Sequence, residues 1–173
     1  MHLLLLSGIP GAGKSHFGQW LEDNHGYVHV DVEKDGRLDT YHLIDDWNSC
    51  FTSPDVGPFV KSLHCLGERV VVNWGFPPRF LSVVQGFKAA GLVPWWFDAD
   101  HDAARRAFVA RGDVAIRAFE IQMAAIRDQW PSIEATFRPN LITTLRSDGS
   151  RVLAEAIYEV IRDADGDGPA EAR

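Results

Sequence analysis

The chain has 173 residues, a formal net charge of −7 and two cysteines, Cys50 and Cys65. This length fits one domain with a sizeable buried core, and the acidic balance disfavours broad binding to nucleic acid, which depends on clustered Lys and Arg. The cysteines lack metal-ligand spacing, and the sequence has neither a signal-peptide pattern nor a run of apolar residues long enough to span a membrane. We therefore predict a cytoplasmic protein with reduced thiols and no membrane partner.

Five short apolar runs alternate with longer helical patterns, which is typical of repeated βα units and a mostly parallel sheet. The predicted strands cover residues 3–7, 27–31, 69–73, 93–98 and 140–145. The predicted helices cover residues 14 to about 24, 55–66, 78–90, 101–110, 114–130 and 150–162, with 39–49 as a further candidate. We expect residues 1–162 to form a single domain and the acidic tail, residues 163–173, to be disordered.

The first predicted strand contains four consecutive leucines and leads into the sequence GIPGAGKS at residues 8–15. Leucines without polar alternation predict a strand that is buried on both faces. The following segment matches the pattern G-x-x-x-x-G-K-[ST], whose glycines let backbone N–H groups turn toward phosphate oxygens at the start of a helix. We call residues 8–15 the phosphate-binding loop. The alternative is a glycine-rich turn that only packs a strand against a helix.

This motif predicts binding of ATP or GTP, and ATP is favoured because the sequence lacks the N-K-x-D motif that reads guanine. Lys14 is predicted to reach the β and γ phosphates, and the Ser15 hydroxyl is predicted to bind Mg²⁺. The predicted nucleotide-binding residues of this segment are Gly8, Pro10, Gly11, Ala12, Gly13, Lys14, Ser15 and His16.

Five segments together resemble the small P-loop kinases of the nucleoside-monophosphate-kinase-like group, which includes gluconate and shikimate kinases, zeta-toxin-like kinases and the kinase domain of polynucleotide kinase. The segments are SGIPGAGKSHFGQWL, VHVDVEKDGR, VVVNWGFPPRF, WWFDADHDAARRAFVARG and NLITTLRSDG. The resemblance covers nearly the whole chain. It implies a three-layer α/β P-loop NTPase fold with a five-stranded parallel sheet of order 2-3-1-4-5, helices on both faces and a short lid.

The resemblance also implies an acceptor site beside the phosphate-binding loop. Asp31, at the end of the second predicted strand, is expected to orient or deprotonate the attacking hydroxyl and to hold water bound to Mg²⁺, with Glu33 assisting. A carboxylate suits this role because an alcohol is a poor nucleophile until its proton is accepted. The alternatives are that Asp31 is a helix-cap or turn residue and that Glu33 is a solvated loop charge.

Several neighbouring residues are expected to contact the acceptor. Related kinases often carry Asp-x-Thr-Asn or a similar polar sequence after the third strand, where this chain has NWGFPPR. Asn73 is expected to hold the water shell of the metal. Trp74 is expected to form an apolar wall, while Arg79 and Arg37 are candidates for pairing with an anionic group. Trp74 as a core residue and Arg79 as a surface charge remain open alternatives.

Arginines are also expected to contact the phosphates and the adenine base of the nucleotide. Arg111 best matches the lid arginine of the resembled group, and Arg105, Arg106 and Arg117 are lesser candidates. Arg146, in the loop after the last strand, is expected to contact the adenine ring, although a simple turn explains it equally well.

The sequence thus predicts an ATP- and Mg²⁺-dependent kinase that acts on a hydroxyl of a small metabolite. One alternative is phosphorylation of a 5'-hydroxyl in a nucleoside or polynucleotide, although the acidic balance disfavours a long nucleic acid as partner. Another alternative is an ATP-dependent switch or partner-binding ATPase without an acceptor. The acceptor itself and the oligomeric state are left open.

Overall fold

A computed structural model describes residues 2–34, 36–53, 55–75, 77–110, 112 and 116–164. The strands are β1 (His2–Gly8), β2 (Val28–Asp31), β3 (Arg69–Asn73), β4 (Val93–Ala99) and β5 (Leu141–Leu145). The helices are α1 (Lys14–His25), α2 (Arg37–Thr40), α3 (Ile44–Ser49), α4 (Gly57–Leu66), α5 (Leu81–Ala89), α6 (His101–Ala110), α7 (Ile116–Asp128), α8 (Trp130–Phe137) and α9 (Ala154–Ala164), with a 3₁₀ turn at Pro78–Phe80 before α5. Within these described ranges, each helix is too short or too polar to cross a membrane.

The five strands form one sheet of order β2-β3-β1-β4-β5, and every neighbouring pair is parallel. The predicted strand order is therefore confirmed. β1 lies at the centre, where Leu4 pairs with Val71 of β3 and with Val93 of β4. The side chains of Leu4, Leu5 and Leu6 are fully buried, which explains why the leucines run without polar alternation.

Helices cover both faces of the sheet, as the aromatic packing on β4 shows. Phe97 contacts Phe17 of α1 with ring centroids 5.4 Å apart, whereas its neighbour Trp96 contacts Trp130 and Phe137 of α8. Because consecutive strand residues point to opposite faces, α1 and α8 lie on opposite sides of the sheet. The result is the three-layer α/β arrangement predicted from the sequence.

The helices differ from the prediction mainly at their boundaries. The pattern predicted as one helix over 114–130 is α7 followed by a second helix, α8, which the sequence analysis did not identify. Pro131 lies in the first turn of α8, where its missing N–H and fixed φ are tolerated. The candidate helix 39–49 is divided into α2 and α3, and α9 begins at Ala154 and extends to Ala164. The tail was predicted to begin at residue 163, but residues 163 and 164 form the end of α9, so that part of the prediction is wrong. Residues 165–173 lie outside the described residues.

His29 of β2 is a buried imidazole in the layer between the sheet and α1. Its side chain is 3% exposed, and within the described ranges neither ring nitrogen has a hydrogen-bond partner. The ring lies so close to Gly18 of α1 that a Cβ at Gly18 would overlap it. Burial lowers the pKa of His29, and the charge of Arg37 acts in the same direction, against the opposing effect of Asp31. The folded state therefore favours the neutral imidazole.

The buried His29 predicts a loss of stability in mild acid. Its pKa in the folded protein lies below the ordinary value of 6.5, so the unfolded chain takes up the proton first as the pH falls. The free energy of unfolding should therefore decrease as the pH is lowered through about 6.5 and below. Urea unfolding at pH 7.5 and pH 5.5 should show a smaller decrease for His29→Leu than for the wild type.

The matched control is His64→Gln, at an exposed position on α4. This variant should keep the wild-type dependence on pH. A His29→Leu protein that loses stability as steeply as the wild type would contradict the assignment of the effect to this imidazole.

Candidate functional site

The phosphate-binding loop is pressed against the end of β4. Gly8 has a φ of 143°, and a Cβ at this position would collide with the backbone carbonyl of Phe97. The N–H of Ile9 donates to the same carbonyl oxygen at 3.1 Å. Only glycine combines this backbone conformation with so close an approach, so the first glycine of the motif fixes where the loop leaves the sheet.

A threonine of β5 holds the other side of the loop. Thr144 Oγ1 lies 2.7 Å from the carbonyl oxygen of Ala12 and 3.0 Å from that of Asp98 in β4. Thr144 and Ala12 are both buried. The loop is therefore positioned by two neighbouring strands in addition to the strand from which it emerges.

The loop ends at the N-terminus of α1, where the charged and polar groups of the motif come together. Gly13 precedes the helix in a left-handed conformation. Lys14 is only 8% exposed, and its Nζ donates to the carbonyl oxygens of Gly8 and Ile9 at 3.2 and 3.0 Å. Ser15 is exposed in the first helical turn. Helix N–H groups, an ammonium group and a hydroxyl at one helix terminus are suited to binding an anion such as a phosphate.

Asn73 connects this helix terminus to a buried carboxylate. Its Nδ2 donates to Ser15 Oγ at 2.8 Å and to Asp31 Oδ2 at 2.7 Å. Asp31 and Asn73 are register partners at the carboxyl ends of β2 and β3, and they are 3% and 1% exposed. The other oxygen of Asp31 accepts the N–H of Glu33 at 3.1 Å. Ser15, Asn73 and Asp31 thus form a continuous hydrogen-bonded group, which we call the Ser-Asn-Asp bridge.

The carbonyl oxygen of the Asn73 side chain is the remaining polar atom of this bridge. Asn73 Oδ1 is buried and has no hydrogen-bond partner in the part of the chain that the structure describes. A buried acceptor without a donor costs free energy, so such atoms commonly mark a place where a ligand or a bound water supplies the missing donor. The amide nitrogen of the same side chain contacts Ser15 at the start of α1.

Solved structures share this architecture along nearly the whole chain. A shikimate kinase from Bacteroides thetaiotaomicron aligns over 95% of this chain and 98% of its own, with a TM-score of 0.55 and 17% identity. A gluconokinase from Sinorhizobium meliloti aligns over 95% and 94%, with a TM-score of 0.55 and 16% identity. A tunicamycin resistance protein from Deinococcus radiodurans aligns over 96% of both chains, with a TM-score of 0.56 and 14% identity.

The chain shares its fold with these three structures. No protein-family model and no curated protein matches its sequence. At these identities the likeness concerns the fold alone.

Around the Ser-Asn-Asp bridge, the other residues predicted to contact an acceptor lie in different settings. Trp74 is buried at the carboxyl end of β3, and its ring packs against Trp47 at a centroid distance of 5.0 Å. The carboxylate of Glu33 lies close to Gly75, where a Cβ would come within 2.8 Å of it. Arg79 is exposed, with its guanidinium 4.7 Å from the centre of the Phe80 ring.

Arg37 is directed toward α1. Its guanidinium donates to Gln19 Oε1 at 3.1 Å and lies 3.6 Å from a carboxylate oxygen of Glu22. It also approaches the carbonyl oxygen of His29 at 3.5 Å. These contacts attach the segment after β2 to α1. The guanidinium that was predicted to pair with an acceptor is therefore bound to residues of the protein itself.

The predicted lid falls mostly in undescribed sequence, because Arg111 and residues 113–115 lie outside the described residues. Of the lesser lid candidates, Arg105 pairs with Glu120 of α7 at 3.7 Å. Arg106 donates to the carbonyl oxygen of Ser147 at 3.3 Å and so connects α6 to the loop after β5. Arg117 is exposed on α7.

The loop after β5, where the adenine contact was predicted, is a turn closed by its own hydrogen bonds. The Arg146 N–H donates to the Ser150 carbonyl at 2.9 Å, and Arg146 Nη1 lies 3.3 Å from Ser150 Oγ. Asp148 Oδ1 accepts the Ser150 N–H at 2.8 Å, and hydrogen bonding from Ser150 lowers the pKa of Asp148. This supports the reading as a turn, and it leaves the Arg146 side chain on the surface.

Sequence reasoning did not identify Thr144 and Arg151, which both contact the phosphate-binding loop. Arg151 Nη1 lies 2.5 Å from the position that a Cβ of Gly13 would occupy. Thr144 lies in the last two residues of β5, and Arg151 forms a bridge with Leu145 at the end of that strand. Ligands of open α/β sheets bind at the carboxyl ends of the strands. The location of Thr144 and Arg151 near the end of a predicted strand was therefore the sequence feature that could have indicated them.

The Ser-Asn-Asp bridge predicts a pH-dependent defect for Asn73→Asp. The substitution replaces a donor by a carboxylate that faces Asp31 and Ser15, and should lower the free energy of unfolding by roughly 2 to 4 kcal/mol at pH 8. At pH 5 the deficit relative to the wild type should shrink, because a proton shared between the two carboxyl groups restores a hydrogen bond. Urea unfolding at both pH values measures the difference.

Asn48→Asp, at an exposed position on α3, is the matched control and should have little effect at either pH. Equal stability of Asn73→Asp and the wild type at pH 8 would show that the amide bridge does not support the fold.

Proposed function

We propose that the protein is an ATP-dependent kinase that transfers the γ-phosphate to a hydroxyl group of a small-molecule acceptor. The observation that carries this proposal is the buried Asp31 carboxylate, which Asn73 joins to Ser15 of the phosphate-binding loop. A phosphate-binding loop alone would suit any nucleotide-binding protein. A carboxylate fixed next to it supplies the proton acceptor that transfer to an alcohol requires.

Asp31 is suited to accept the proton of the acceptor hydroxyl. Each of its oxygens accepts one hydrogen bond, from Glu33 N–H and from Asn73 Nδ2, and a carboxylate has about four acceptor positions in all. As the acceptor oxygen forms its bond to the γ-phosphorus, the bond from that phosphorus to the β–γ bridging oxygen breaks. The hydroxyl proton passes to Asp31, and ADP leaves with the bridging oxygen.

Charge stabilisation falls to the phosphate-binding loop. Lys14 Nζ lies over the loop, bonded to the carbonyl oxygens of Gly8 and Ile9, and needs only to turn to reach a phosphate oxygen. The N-terminus of α1 adds the N–H groups of its first turn and the positive end of the helix dipole. Phosphoryl transfer depends mainly on such alignment and charge neutralisation.

The residues present fit a magnesium ion. Ser15 Oγ accepts one hydrogen bond from Asn73 and keeps a second lone pair for the metal, while the buried Asn73 Oδ1 is an acceptor for one of its water ligands. Asp31 would hold a further metal-bound water. The bound ion would neutralise charge on the phosphate oxygens.

The kinase assignment is supported by the shared fold of a shikimate kinase and a gluconokinase, whose names describe transfer to small hydroxylated molecules. We further propose a cytoplasmic location, where ATP is available. Two free cysteines agree with a reducing environment, and burial raises the pKa of the Cys50 thiol to about 11, which keeps it unreactive.

The acceptor is to be found by a thermal-shift screen of hydroxylated metabolites in the presence of Mg²⁺ and a non-hydrolysable ATP analogue. With that acceptor, Asp31→Asn should lower the rate of transfer by about 10² to 10⁴ while changing ATP affinity by less than about 3-fold, because proton acceptance is lost and the phosphate site is kept. Lys14→Ala should instead weaken ATP binding by at least about 10-fold. ADP release and binding of a fluorescent ATP analogue measure the two effects.

Asp39→Asn, the same chemical change at an exposed position of α2, should leave both quantities unchanged. Loss of ATP binding in Asp31→Asn would assign a structural role to this carboxylate. ATP hydrolysis that no metabolite accelerates would favour the switch or partner-binding ATPase, and transfer of phosphate to 5'-hydroxyl oligonucleotides alone would favour a polynucleotide kinase.

A further inference from the structure

Arg151 lies directly against the phosphate-binding loop. Its Nη1 is 2.5 Å and its Cζ 3.6 Å from the position that a Cβ of Gly13 would occupy. Gly13 immediately precedes Lys14 and has a φ of 94°. The absence of a side chain at this glycine therefore leaves room for a guanidinium group at the turn where a phosphate would bind.

The backbone that carries Arg151 is attached to the same loop. Arg151 forms an antiparallel bridge with Leu145 of β5, and the next residue, Val152, donates its N–H to the Thr144 carbonyl at 2.9 Å. The Thr144 side chain in turn bonds the Ala12 carbonyl of the phosphate-binding loop at 2.7 Å. The base of the arginine is thus held at a fixed place relative to the loop that its tip contacts.

Some arginines in the described part of the chain are held by acidic side chains, and Arg151 is among those that are not. Arg37, Arg105, Arg138 and Arg162 each pair with an acidic side chain. Across the described residues, by contrast, no Asp or Glu side chain forms an ion pair with Arg151. In a protein with a net charge of −7, a guanidinium that is not paired with acid and lies beside a phosphate-binding turn is placed to meet an external anion.

We propose that Arg151 is a nucleotide-binding residue that pairs with the phosphate chain of ATP. This inference rests on the proposed function, and it adds a nucleotide-binding residue that lies outside the phosphate-binding loop. When phosphate occupies the loop, the guanidinium leaves its contact with Gly13 and donates to phosphate oxygens. The planar guanidinium provides two parallel donors for such contacts, which a lysine at this position would lack.

The test is a competition assay on the full-length protein with Mg²⁺ and a fluorescent ATP analogue. ATP, inorganic tripolyphosphate and adenosine serve as competitors, and thermal unfolding verifies that each variant is folded. Arg151→Gln should weaken the binding of ATP and of tripolyphosphate by similar factors of about 10, because the lost contact is to phosphate. The affinity for adenosine should be unchanged. Arg151→Lys should show a smaller loss because the charge is kept.

Arg162→Gln, the same change on α9, is the matched control and should behave as the wild type. If the wild type binds ATP and Arg151→Gln binds ATP and tripolyphosphate equally well, the inference is wrong while the proposed function stands. If Arg151→Gln weakens the binding of ATP and adenosine equally and leaves the binding of tripolyphosphate unchanged, Arg151 contacts the nucleoside. That result would also overturn the inference. A wild type that binds no ATP would overturn the proposed function and this inference together.

Discussion

The side-chain amide of Asn73 is the contact on which the site depends, because one nitrogen donates both to Ser15 Oγ and to Asp31 Oδ2. Ser15 belongs to the phosphate-binding loop and Asp31 to the proposed acceptor side, and these residues lie on different elements. The parallel pairing of β2 with β3 places Asp31 level with Asn73, and the pairing of β3 with β1 places Asn73 level with Leu6, just before the loop. The register of three strands therefore sets the distance between the phosphate site and the carboxylate.

The same sheet also holds the phosphate-binding loop in position. β4 contributes the Phe97 carbonyl that bonds Ile9, and β5 contributes the Thr144 hydroxyl that lies within bonding distance of Ala12. A loop that is fixed by the strands on one side and by its own helix on the other loses little conformational freedom when it binds phosphate. Such preorganisation agrees with the demands of phosphoryl transfer, in which alignment contributes much of the rate.

The strand order followed from the resemblance to the small P-loop kinases and not from a local signal. Sequence patterns predicted the parallel sheet and the phosphate-binding loop, because each of these rests on a local signal. The buried leucines of β1 and the glycine-lysine-serine run are examples, and both lie within one short stretch of the chain. Contacts between distant segments were not predictable in this way. Thr144 and Arg151 contact a loop more than 130 positions earlier, and the two donations from Asn73 depend on strand register, which the sequence alone does not specify. Likewise, the helix predicted over residues 114–130 did not reveal the separate helix α8, which begins at Trp130 and has Pro131 in its first turn.

The choice of asparagine at position 73 has an electrostatic consequence for the whole site. An acid at this place would set a second negative charge against Asp31 in a buried setting, whereas the amide stabilises that carboxylate and still offers an oxygen acceptor. The cost is a weaker attraction for a divalent cation, since an amide oxygen carries no net charge. We therefore expect the metal to depend on the phosphates for most of its binding energy and to arrive with the nucleotide. In the proposed arrangement, Lys14 and Arg151 would bind the phosphates on one side of the bridge, and Asp31 would face the acceptor on the other.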